Sequence, residues 1–171
     1  MHIEVVETKS GVIEYSEVGS GIPILFLHGG HSNCRETLSH KGFDTDKYRL
    51  ITPSRPGYGN TPLANTRTPG QAAELIRALL DHLAIDRVIL YGISAGGLSA
   101  IELASRYPER VEKLILASAV SKTWLDSDGK VYKSAKRLFH PGREAMVWGM
   151  VRLFSRILPG TITRNFYPQF S

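Results

Sequence analysis

The sequence predicts an α/β fold, a mostly parallel sheet with flanking helices, on three observations. Strand-length apolar runs alternate with segments of helical periodicity between residues 48 and 120. Two strand-length runs, Ile22–Leu27, nearly all apolar, and Val88–Tyr91, have the pattern of strands covered on both faces. A helix-start sequence, Thr68-Pro69-Gly70-Gln71, opens the longest amphipathic segment.

The elements follow in order. Ile3–Glu7 and Val12–Glu17 alternate polar and apolar around Ser10-Gly11, which predicts a half-exposed hairpin. Ile22–Leu27 follows Gly19-Ser20-Gly21 as a buried strand, and Tyr48–Thr52 is a fourth strand closed by Pro53. A Gly/Pro-rich stretch runs from Ser54 to Pro62. From the Thr68 cap, Ala72, Leu75, Ile76, Leu79, Leu80 and Leu83 recur at helical spacing and give that helix one buried face. Val88–Tyr91 is a strand, Ala95–Tyr107 a helix stopped by Pro108, and Lys113–Val120 a strand. That succession predicts right-handed parallel crossovers. Beyond it, Trp124–Tyr132 reads as loop and Glu144–Leu158 as a helix ended by Pro159-Gly160.

Composition excludes several classes. A chain of 171 residues with 42% hydrophobic and 22% charged residues is neither disordered nor fibrous. The longest apolar run is far short of the ~20 residues that cross a bilayer, so no membrane span is expected. The N-terminus lacks a basic stretch followed by a long apolar one, and the single Cys34 cannot pair internally; both lead to the expectation of a cytoplasmic protein. The net charge of +5 is uneven: residues 1–121 hold 12 Lys/Arg against 13 Asp/Glu, and 122–171 hold 9 against 3. The basic residues of the tail are spread along a helix and no nucleic-acid module accompanies them, so no nucleic acid is expected as a partner.

The chemistry lies at Gly92-Ile93-Ser94-Ala95-Gly96, a G-x-S-x-G pentapeptide between a strand and a helix. A turn this tight lifts the serine hydroxyl above the sheet, at the positive end of the following helix. The alternative, a serine that merely caps a helix, loses ground because strand and helix are in register with the motif. A nucleophilic serine needs two N–H groups aimed at its oxyanion. Ala95 supplies one, and Gly30 in His28-Gly29-Gly30-His31 the other, with His28, Gly29 and His31 beside the substrate pocket. The side chain of His28 is expected to tie that loop down instead of acting as the base.

These residues resemble the α/β-hydrolases of the esterase, lipase and peptidase type. The likeness rests on His28-Gly29-Gly30 after the third strand, Ser54-Arg55-Pro56-Gly57-Tyr58-Gly59-Asn60-Thr61 after the fourth and Gly92–Gly96 after the fifth. It implies residues 1–120 as the N-terminal part of the core and 121–171 as the start of a helical cap, a fold incomplete at the C-terminus. It also implies that Arg55 supports the site and that no cofactor or metal is used. Serine at position 94 argues against the dehalogenase and epoxide hydrolase branches, which use aspartate there.

The family's acid and histidine follow the serine in sequence. His140, the sole histidine after Ser94, falls in the cap-like segment, and Asp126 sits in Asp126-Ser127-Asp128-Gly129, which is also ordinary turn chemistry. Both are weak candidates, and His31 is weaker as a base. The function expected is serine-type hydrolysis of a small ester or related acyl compound, inactive until a C-terminal segment or second chain supplies the acid and histidine and covers the apolar edge strand. The alternatives are a non-catalytic binding or signalling protein of the same fold and a basic interaction module built on the tail.

Overall fold

Six strands form one sheet: β1 (His2–Thr8), β2 (Gly11–Val18), β3 (Ile22–Leu27), β4 (Tyr48–Pro53), β5 (Val88–Ile93) and β6 (Val111–Ala117). This computed structural model describes residues 1–121 except Asn65, together with Lys133, 144–157 and Gly160. Two units divide the chain, Met1–Thr123 and Trp124–Ser171. The expected loop over Trp124–Tyr132 and the candidates Asp126 and His140 lie outside the described residues.

The strand order is β1-β2-β4-β3-β5-β6. The β1–β2 hairpin is antiparallel, as is β2 against β4. β3 then pairs in parallel with both β4 and β5, and β5 with β6. β3 is apolar at every position because it lies centrally with both faces covered. Leu25 and Leu27 face one way, into the core with Leu75, Ile76, Leu79 and Leu80 of helix α1 (Pro69–His82) and Leu103 of helix α2 (Gly96–Arg106). Ile24 and Phe26 face the other, where Phe43 and Tyr91 pack their rings on Phe26 at centroid distances of 5.5 and 5.2 Å.

The capping box read at Thr68 is present. The Thr68 hydroxyl accepts from the Gln71 backbone N–H, and the Gln71 side chain accepts from the Thr68 N–H. Short 3-10 turns at Leu38–His40 and Pro108–Arg110 carried no sequence signal. The last strand differs from its expected range, starting at Val111 and ending at Ala117 instead of running from Lys113 to Val120. It stops because Ser118 turns to φ 46° and the Val120 N–H leaves the sheet to donate to the Ser94 carbonyl at 2.9 Å. β6 is an edge strand, with Leu114, Ile115 and Leu116 39, 39 and 42% exposed.

In the second unit, helix α3 (Glu144–Ile157) carries Met146, Met150, Leu153, Phe154 and Ile157 exposed at helical spacing.

Candidate active site

Ser94 occupies the turn between β5 and α2 with φ 48°, the left-handed region that a non-glycine residue seldom adopts. Three backbone bonds hold it there. The Ser94 N–H donates to Ala117 O at 3.2 Å, and its carbonyl accepts from the N–H groups of Gly97 at 3.1 Å and Val120 at 2.9 Å. Close packing on both sides makes the glycines necessary. A Cβ on Gly96 would lie 2.0 Å from Leu27 O, one on Gly92 2.7 Å from the Ala100 Cβ, and one on Gly97 2.6 Å from the Ala119 Cβ. Ser94 itself is exposed at the carboxyl end of β5, and Ala95 caps α2 in helical geometry.

The loop after β3 lies against this turn. A Cβ on Gly29 would come 3.2 Å from the Ser94 Cβ and 3.7 Å from its Oγ. Gly30 and His31 are exposed, His31 at φ 57°. The ring of His28 ties the loop down by hydrogen bonding: it is fully buried, with both nitrogens engaged. The Arg55 backbone N–H donates to Nε2 at 3.0 Å, so the proton is on Nδ1, which donates to Gly29 O at 2.7 Å. Burial pushes the pKa of this imidazole down to about 4, with the Arg55 charge adding to the effect. The Arg55 guanidinium packs over the Tyr58 ring at 4.9 Å and donates from Nη2 to Gly29 O at 3.0 Å. Arg55 thus ties the turn after β4 to the loop after β3.

Comparison with known proteins bears on the family of this chain and not on individual residues. A family model for the alpha/beta hydrolase fold matches residues 22–147. The chain belongs to this family. It is 43% identical over 169 residues to an uncharacterized hydrolase, YcgS, of Bacillus subtilis (strain 168), covering 99% of this chain and 60% of that protein. It is 33% identical over 113 residues to 2-hydroxy-6-oxo-6-phenylhexa-2,4-dienoate hydrolase of Comamonas testosteroni, covering 61% of this chain and 39% of the relative. Among solved structures, an alpha/beta hydrolase fold protein from Nakamurella multipartita matches with TM-score 0.63 and 32% identity, over 77% of this chain and 46% of that one. The chain thus spans 60% or less of the length of these relatives.

Beneath the hydrolase loops lies a buried carboxylate that carried no sequence signal. Glu14 of β2 is fully buried and accepts from Ser54 Oγ at 2.7 Å, Asn60 N–H at 3.0 Å, Asn60 Nδ2 at 2.8 Å and Arg35 Nη1 at 3.2 Å. Burial alone would raise its pKa, but these donors outweigh burial and hold it at about 2. Ser54 Oγ in turn accepts from the Cys34 N–H at 3.0 Å. One side chain of β2 therefore joins the chain around Cys34 to the turn over Ser54–Asn60, and a Cβ on Gly59 would fall 2.0 Å from Glu14 Oε2. Its partners are 21 to 46 residues away in sequence, so no local motif announces it.

The described residues hold no group of three or more His, Cys, Asp or Glu side chains placed for a metal. A charged groove lined by Asp81, Ile85, Asp86, Arg87, Glu109 and Arg110 opens near the start of β5, at the other end of the strand from Ser94. Arg110 there is already satisfied by Asp81, Ile85 O and Asp86 O, so that groove is a surface ion-pair network and not a second reaction centre.

Proposed function

We propose that the chain carries the nucleophile half of a serine hydrolase that acts on a small carboxylic ester or related acyl compound. Ser94 Oγ attacks the carbonyl carbon while a histidine takes its proton. The N–H groups of Ala95 and Gly30 receive the tetrahedral oxyanion; its collapse breaks the ester C–O bond, the alcohol leaves with the proton held by the histidine, and water later releases the acyl group as the acid and frees Ser94. The observation that carries this reading is a non-glycine residue held at φ 48° with its side chain exposed at a strand-to-helix turn. Such strain persists only where the surroundings enforce it, and it is found where a side chain must be aimed.

We infer that polypeptide beyond these 171 residues, in the same chain or a second one, supplies the acid and histidine and covers β6. The apolar exposure of Leu114, Ile115 and Leu116 supports this, as does the 60% coverage of the Bacillus relative. In this reading residues 121–171 begin a cap. The mass of the native polypeptide tests this point: 18.9 kDa with no partner contradicts it.

A panel of chromogenic esters of graded acyl length, incubated with the complete protein and with Ser94→Ala, tests the hydrolase reading. Turnover by the parent and loss of it in the variant support the reading, and equal turnover contradicts it. The likeness to a dienoate hydrolase favours a second reading, in which the same serine acts on a carbon–carbon bond. Including such a dienoate in the panel separates the two.

A further inference from the structure

Gly29 C=O and Gly30 N–H belong to one trans peptide unit, so whatever grips the oxygen also aims the N–H in the opposite direction. Two glycines flank that unit, Gly30 is exposed, and a Cβ on it would meet nothing within 4 Å. Neither side-chain bulk nor packing at Gly30 prevents the peptide from turning over. Its oxygen, however, accepts twice, from His28 Nδ1 at 2.7 Å and from Arg55 Nη2 at 3.0 Å.

Both grips trace to Arg55. Its side chain provides one directly, while its backbone N–H occupies His28 Nε2 and thereby keeps the imidazole proton on Nδ1, where it provides the other. The guanidinium is fixed in turn by the Tyr58 ring. We propose that Arg55 is a positioning residue for the reaction at Ser94: it locks the plane of the Gly29–Gly30 peptide by its carbonyl and polarises it, so that the Gly30 N–H is an oriented and strengthened oxyanion donor. A charge-assisted bond to a carbonyl draws electron density from the whole amide, and chained hydrogen bonds strengthen one another. The residue touches no reacting atom; it acts through the peptide it holds. This inference rests on the reading of Ser94 as the nucleophile.

Arg55→Gln and Arg55→Lys test it, with Arg87→Gln, at the exposed far end of β5, as the control. The Gly30 amide resonance is followed by NMR in this chain, and ester hydrolysis is measured in the complete enzyme. In Arg55→Gln the Gly30 amide proton moves upfield and broadens while β3 and β5 amides stay in place. The value of kcat falls about tenfold or more with KM unchanged, short of the roughly 100-fold expected for outright loss of an oxyanion donor. Arg55→Lys, which keeps the charge without the planar fork, lies between the two, and Arg87→Gln matches the parent. A merely structural residue would lower the folded fraction without splitting kcat from KM. If Arg55→Gln fails to fold, the Arg55→Lys spectrum and kcat decide by the same criteria. A folded variant with an unchanged Gly30 resonance and kcat overturns the inference. Turnover that survives Ser94→Ala instead overturns the reading of Ser94, and the Gly30 resonance still reports whether Arg55 holds the peptide.

Discussion

Replacing Ser94 by glycine should make the protein more stable while abolishing its chemistry. The left-handed geometry at φ 48° costs a side-chain-bearing residue about 1–2 kcal/mol, a cost glycine does not incur. Against that gain, glycine adds conformational freedom to the unfolded chain worth about 0.5–1 kcal/mol. The net expectation is a Ser94→Gly protein more stable than Ser94→Ala by about 0.5–1 kcal/mol, because alanine keeps the Cβ and its strain while losing the hydroxyl. Urea unfolding of the two variants, followed by far-UV circular dichroism with equal m-values, measures the difference. A Ser94→Gly variant less stable than Ser94→Ala would refute the claim that the turn stores strain for the sake of the hydroxyl.

Other consequences are equally specific. Thr68→Ala removes the hydroxyl that accepts from the Gln71 N–H and should cost about 1 kcal/mol in the same unfolding assay, with no change in hydrolysis. Gly96→Ala would place a Cβ 2.0 Å from Leu27 O and 2.7 Å from His28 O; it should destabilise by about 2–3 kcal/mol and reduce activity through displacement of the loop. Glu14 is depressed from 4.5 to about 2 in the folded state, so its stabilising contribution, about 3 kcal/mol, is present above pH 4.5 and lost as pH falls toward 2. Stability measured between pH 3 and 7 should therefore fall more steeply for the parent than for Glu14→Gln, and parallel curves would count against the buried carboxylate.

Features whose cause is local in sequence were legible in it. The Thr68–Gln71 cap, the limits of Ile22–Leu27 and the Ser94 turn each depend on residues within a few positions of one another, and each appears where the periodicity and turn chemistry put it. Arg55 could be read as a support from its motif, but the motif does not reveal that its guanidinium reaches Gly29 O. What escaped depends on chain segments meeting in space. The apolar run up to Val120 reads as a continuation of β6, yet Ser118 turns away and lets the Val120 N–H brace Ser94, a partner in a different turn of the chain. Glu14 reads locally as the polar phase of an alternating strand, but the turn over Ser54–Asn60 folds onto it and excludes water. For His28 the tying role was legible, but its partner, the Arg55 backbone N–H, lies 27 residues along the chain and carried no local signal.

The most direct test of the central claim is a covalent one. The complete protein is treated with a fluorophosphonate, digested and mapped by mass spectrometry. One phosphonyl adduct on the peptide containing Ser94, absent from Ser94→Ala, is the predicted result. No adduct under conditions that label a control esterase, or an adduct on a different serine, would contradict the account.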